Sequence, residues 1–172
     1  RRSNIWIFNT RTQKLRRFTT SVKSDRSPRW SPDGQSLAYL SNRDEKTQIY
    51  IIPLQGGEAV PLTESKTGIQ SFEWSNDGSR IAYLSTPPKT EDEEKKEEDK
   101  DEARVEDKDD VHAQLWIIDV YTNGILQLTQ EPWRVSDYIW MPRGDRMILS
   151  TTDDPQPELE TNRIYELDIA SK

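Results

Sequence analysis

The sequence predicts an all-β chain assembled from repeats of about 44 residues, and three separate markers carry that expectation. Trp30-Ser31-Pro32-Asp33-Gly34 returns as Trp74-Ser75-Asn76-Asp77-Gly78 and, more loosely, as Trp140-Met141-Pro142-Arg143-Gly144, at offsets of 44 and then 66 residues. The apolar runs Ile5-Trp6-Ile7-Phe8, Ile49-Tyr50-Ile51-Ile52 and Leu115-Trp116-Ile117-Ile118 keep the same two offsets, and so do Phe18-Thr19, Leu62-Thr63 and Leu128-Thr129. Three unrelated markers sharing both offsets define a period of 44 residues, interrupted once by 22 more.

Charge locates the interruption. The 172 residues carry 24 Lys and Arg against 31 Asp and Glu, yet 13 of the acidic and five of the basic residues lie between Glu91 and Asp110. The other 152 residues are close to neutral, with 19 basic and 18 acidic side chains. A solvated, charged excursion over residues 87–110 therefore accounts for the longer interval and for the low apolar content of the whole chain. Its first part has the composition of a transient charged helix, and Ala103-Arg104-Val105 is the place where it can rejoin a sheet.

Each element of the repeat has a local reason. Ser27 to Ser31 reads as a strand that runs into a Pro-Asp-Gly reversal, where Pro presets φ and Gly accepts φ > 0. Ser36-Leu37-Ala38-Tyr39-Leu40-Ser41 is the second strand, Asn42 to Thr47 a polar loop, and Gln48 to Leu54 an apolar third strand. A turn at Gly56-Gly57 leads to a fourth strand, Glu58 to Thr63. β-Branched and aromatic residues fill the strands, turn residues punctuate them, and nothing in the repeat has helical periodicity. Four strands in about 44 residues are the makings of a β-propeller blade. In that phase residues 1–20 are the end of one blade, 27–63 and 70–129 are two full blades, the second carrying the insert 87–110, and 136–169 are part of another. The expected fold is an incomplete β-propeller of four-stranded antiparallel blades over residues 1–172, with Trp30, Trp74 and Trp140 as packing residues between blades.

Composition excludes several functions. With no basic excess, the electrostatic footprint of nucleic-acid binding is missing. No apolar run exceeds about six residues, Ile49 to Leu54 being the best, against roughly 20 for a membrane-spanning helix. No nucleic-acid or membrane partner is therefore expected, and no continuous apolar segment of a signal peptide follows Arg1 and Arg2. Cysteine is absent, so disulfides, thiolate metal sites and cysteine nucleophiles are excluded in either redox compartment.

The turn Trp-Ser-Pro-Asp-Gly, followed by Leu-Ala-Tyr-Leu-Ser, Ile-Tyr-Ile-Ile and Pro-Leu-Thr, resembles the PD40 (TolB-like) propeller repeat over nearly all residues outside the insert. That repeat occurs in the periplasmic TolB protein, in tricorn-type proteases and in the prolyl oligopeptidase family of serine peptidases. The lysine- and glutamate-rich insert running into Asp101-Glu102-Ala103-Arg104-Val105, then Leu115-Trp116-Ile117-Ile118-Asp119-Val120 and Gln127-Leu128-Thr129, is similar to the acylaminoacyl-peptidase and dipeptidyl-peptidase branch of that family. The resemblance implies a propeller that covers a C-terminal α/β-hydrolase domain, with short peptides as substrates and with that domain and the remaining blades as partners. It also implies a cytoplasmic location, or a periplasmic one if the chain is TolB-like.

The hydrolase domain is not within these residues. A nucleophile elbow needs Gly-x-Ser-x-Gly, and no two of the seven glycines bracket a serine at that spacing. The sole histidine, His112, lies beside Asp109 and Asp110 and reads as a partly exposed loop residue. Glu91 to Asp110 lacks the glycine and the regular carboxylate spacing of a hard-cation loop. No catalytic residue, no metal ligand and no cofactor is expected in this chain. Arg43, Asp44 and Glu45, in the loop before the third strand, are candidates only because blade loops can face a channel, and otherwise read as solvated surface. Arg143 replaces Asp33 and Asp77, with Asp145 displaced beyond the glycine, so a looser third turn is expected. Blades left open at their edges also predict self-association.

Overall fold

A computed structural model describes residues 2–89, 112–130, 133–152 and 162–171. Thirteen strands in four antiparallel sheets account for the regular structure of the described residues, which contain no helix long and apolar enough to cross a membrane. The first sheet pairs β1 (Trp6–Asn9) with β2 (Lys14–Arg17). The second is β3 (Asp25–Trp30), β4 (Ser36–Ser41), β5 (Gln48–Pro53) and β6 (Val60–Pro61) in sequence order. The third repeats that order with β7 (Ile69–Trp74), β8 (Arg80–Ser85), β9 (Gln114–Asp119) and β10 (Ile125–Gln127). The fourth holds β11 (Arg134–Trp140), β12 (Arg146–Thr152) and β13 (Arg163–Asp168). The chain is all-β and forms a partial propeller. Most of the insert, including Asp109, Asp110 and the expected transient helix and sheet extension, lies outside the described residues.

Repeated chemistry builds repeated geometry. In the first strand of each larger sheet the register shifts, between Arg26 and Arg29, Ile69 and Ser71, and Val135 and Asp137. The bulge explains why β3 starts at Asp25, before Ser27, and tolerates Pro28: Ser27 takes φ +53° there, and a bulge is where a strand accepts a proline. In the turn after β3 the Ser31 hydroxyl bonds Asp33 and receives the Ser36 amide, and Gly34 N–H closes on Ser31 O at 2.8 Å. Ser75, Asp77, Arg80 and Gly78 do the same after β7.

The third turn is not loose. Without a carboxylate at Arg143, Gly144 N–H still closes on Met141 O at 2.9 Å, as in the other two. Clamps from the preceding blade replace the lost side-chain bond: Arg80 Nη2 donates to Gly144 O at 2.6 Å, and Asn76 Nδ2 reaches Met141 O and Pro142 O.

Between sheets lie three apolar cores. One joins Ile5 to Leu37, Tyr39, Tyr50 and Ile52; the next joins Ala38, Leu40 and Ile49 to Phe72, Trp74, Ile81 and Tyr83; the last joins Leu84, Leu115 and Ile117 to Tyr138, Trp140, Met147 and Leu149. Alternation along each strand sends odd and even residues to opposite neighbours, so one sheet seals two cores. The tryptophans split here. Trp74 (8% exposed) and Trp140 (5%) are buried, and each indole N–H donates to the backbone of the preceding blade, at Arg29 O and Glu73 O, both at 3.3 Å. Trp30 is 47% exposed. It ends the first strand of the second sheet, and the sheet before it has only β1 and β2, so no preceding first strand offers it a carbonyl.

Candidate functional site

Two residues that depart from the repeat, Asp25 and Arg43, meet at the loop between β4 and β5. Asp25 starts β3 at a position that the next two blades fill with Ile69 and Val135, all three buried. Arg43 stands where the next blade has Pro87. The structure brings the two together: Arg43 Nη2 lies 3.5 Å from Asp25 Oδ1, with the arginine side chain 28% exposed and the carboxylate fully buried.

Every neighbour fixes the guanidinium. Its Nε donates to Ser41 Oγ at 3.0 Å and its Nη2 to Tyr39 Oη at 2.7 Å. Ser41 in turn donates to Asp25 Oδ1 at 2.7 Å. The cation lies 4.2 Å above the centre of the Tyr50 ring and 5.7 Å from that of Tyr39, and the two rings stack at 6.1 Å. Such cation–ring contacts add to the ion pair where water is partly excluded. The Tyr50 hydroxyl donates to Asp44. Glu45 takes no part and is exposed. Arg43 is thus the folded centre of a charge cluster, while Asp44, though bonded to Tyr50, and Glu45 are exposed. Comparing the repeat copies phase by phase carries the missing signal: a carboxylate at a phase that is otherwise Ile or Val.

The electrostatics limit the chemistry. Burial raises the pKa of Tyr39, partly offset by Arg43, and burial together with the bond to Asp44 pushes Tyr50 up to about 12. Both phenols therefore stay protonated at neutral pH and serve as hydrogen-bonding groups, not as bases. Asp25 Oδ2 is buried without a hydrogen-bond partner, a cost that only the Arg43 charge offsets. Arg43 also lines a groove of about 490 Å³ whose other walls include Phe18, Val22, Tyr39, Ile52 and Ala59. What the cluster offers is a fixed cation at the edge of a groove with both apolar and polar walls. Among the described residues no group of three or more His, Cys, Asp or Glu is placed to hold a metal ion. His112 is half-buried, and its carbonyl accepts a bond from Gln114 Nε2 at 3.3 Å.

Comparison with known proteins follows the repeat. A family model described as the TolB beta propeller domain (PD40) matches residues 1–106. Among curated proteins, the one named Uncharacterized peptidase YuxL, from Bacillus subtilis (strain 168), is 44% identical over 68 residues, a stretch that is 39% of this chain and 10% of that protein. TolB from Acinetobacter baumannii superimposes with a TM-score of 0.68 at 18% identity, over 98% of this chain and 35% of its own. The acylaminoacyl peptidase of Pyrococcus horikoshii does so with a TM-score of 0.65 at 22% identity, over 95% of this chain and 26% of its own. At these identities the two structures speak to the fold. The matched region is a minor part of each relative's length.

Proposed function

Because the chain belongs to the TolB β-propeller (PD40) family, we propose that it is the non-catalytic propeller portion of a serine peptidase, gating and positioning short peptides for a separate α/β-hydrolase domain. The observation that carries this reading is the 44% identical stretch shared with a protein named as a peptidase. The sequence agrees with a division of labour: it has one histidine and no Gly-x-Ser-x-Gly, so acyl transfer needs residues from elsewhere. Blades joined by close-packed apolar cores make a stiff wall, which suits a device that admits small substrates and holds large ones out.

The test is the parent reading frame, expressed whole. The expected result is a frame that continues through further blades into roughly 250–300 residues bearing Gly-x-Ser-x-Gly, then Asp, then His, and a full-length product that hydrolyses aminoacyl p-nitroanilides while the 172 residues alone do not. A frame that stops after the propeller, or turnover by the 172 residues, refutes it. A second reading, a non-enzymatic protein-binding propeller of the cell envelope, is favoured by the superposition on TolB. It requires a secretory signal in the parent and no hydrolase domain.

A further inference from the structure

We propose that the groove beside Arg43 binds the free carboxylate of a small apolar acid, such as the C-terminus of a short peptide ending in an aliphatic residue, with Arg43 Nη1 as the donor to the anion. Three observations point there. First, the guanidinium is ordered before any ligand arrives: Nε and Nη2 are used by Ser41, Tyr39 and Asp25, whereas Nη1, with two N–H donors, has no hydrogen-bond partner among the described residues. A cation already locked by its neighbours loses little entropy on binding, and the planar fork of arginine matches a carboxylate. Second, Phe18, Val22, Ile52 and Ala59 give the groove an apolar side beside Thr19, Thr20 and Ser21, so the carbon skeleton of the ligand gains from burial while its charge meets the one cation of the lining. Glu58 on the rim is exposed and disfavours dianions, which restricts the ligand to a single carboxylate.

Third, the fold does not need the cation. The equivalent groove at the interface of the third and fourth sheets is lined by Leu128, Thr129, Leu149, Tyr165 and Leu167, and among the described residues its charged lining residue is Glu166, not a cation. Each of the two grooves lies between a four-stranded sheet and one with fewer strands. Only the copy between the first two sheets has acquired Arg43 in its wall and Asp25 behind it. The proposal rests on this geometry and stands whether or not the parent is a peptidase.

Ligand-observed saturation-transfer NMR on the 172-residue chain tests it, with N-acetyl-leucine, an N-acetylated tripeptide ending in free leucine, and the C-terminal amides of both. Both free acids are expected to bind, and both amides to bind at least about tenfold more weakly, the loss of one charge-assisted contact. A preference for the tripeptide acid identifies a peptide terminus as the ligand, and equal binding identifies a small free acid. Arg43→Gln is expected to abolish the difference between acid and amide. Ala59→Trp, which fills the groove and leaves every charged residue in place, is expected to abolish binding of all four and guards against misfolding of the first variant. Equal binding of acids and amides, no saturation transfer from either acid at about 10 mM, or unchanged binding in Ala59→Trp overturns the proposal.

Discussion

Single side chains carry much of the specification, and small deviations in them have sharp consequences. Thr63 Oγ1 receives the Ile49 amide and donates to Gln48 Oε1; Thr129, Leu115 and Gln114 repeat the arrangement. At the same place in the first sheet Thr19 receives the Ile5 amide, but the partner is Asn4, one methylene shorter than glutamine, and its Oδ1 is buried without a bond. Asn4→Gln is therefore expected to stabilise the chain by about 1 kcal/mol, the net worth of a hydrogen bond, and Thr63→Val to destabilise it by about 1–3 kcal/mol by stranding a buried amide; urea unfolding of the pair checks both signs. Acid separates the turns in the same way. The Ser75 hydroxyl, ahead of other bonds, holds Asp77 down to about 2 from an ordinary 3.8, and Asp33 is lowered by Ser31. A carboxylate depressed in the folded state stabilises fully above its unfolded value, and that contribution fades as pH falls through the folded one. As pH falls from about 4 to 2 the amides of Ser79 and Gln35, which donate to Asp77 and Asp33, are expected to shift in NMR spectra, while that of Met141, which donates to the Arg146 carbonyl in the third turn, moves far less. These bonds were foreshadowed by Ser-x-Asp in the sequence. The Arg43 cluster was not, because its partners Asp25, Tyr39 and Tyr50 come from three strands and only their convergence gives Arg43 a role.

At the level of the element, the turn after each inner strand shows how one motif is tuned by its neighbours. Gly34, Gly78 and Gly144 all have φ near +70°, where an alanine costs roughly 1–2 kcal/mol. Beyond that shared term the three differ. A Cβ on Gly34 meets nothing within 4 Å, one on Gly144 would lie 3.6 Å from Arg80 Nη2, and one on Gly78 would crowd Pro32 Cδ at 3.2 Å. Thermal denaturation of the three Gly→Ala variants is expected to rank Gly78→Ala as the most destabilised, with the other two alike. The strands and turns of the repeat were legible because alternation and turn residues are local signals. The firmness of the third turn was not, since Asn76 and Arg80, which clamp it, belong to the blade before and lie more than 60 residues away in the chain.

For the whole molecule, the governing relation is that each inner strand leans on the blade before it. Trp6, Phe8 and Leu15 on the first sheet and Trp30 on the second are exposed, and large apolar side chains left open to water favour association. Sedimentation at rising concentration is expected to show association of the 172-residue chain, and substitution of Trp6 and Phe8 by Ser to reduce it; a concentration-independent monomer counts against this. The all-β architecture and its period could be read from three sequence markers, yet the same markers made Trp30, Trp74 and Trp140 equivalent when their surroundings are not, because burial depends on a neighbouring blade that a single repeat does not encode. Hydrogen exchange at the indole Nε1–H groups measures that dependence directly. Slow exchange at Trp74 and Trp140, which donate to Arg29 and Glu73 of the blade before, with fast exchange at Trp30, is the expected result; equal rates at all three would contradict the stacking of successive blades.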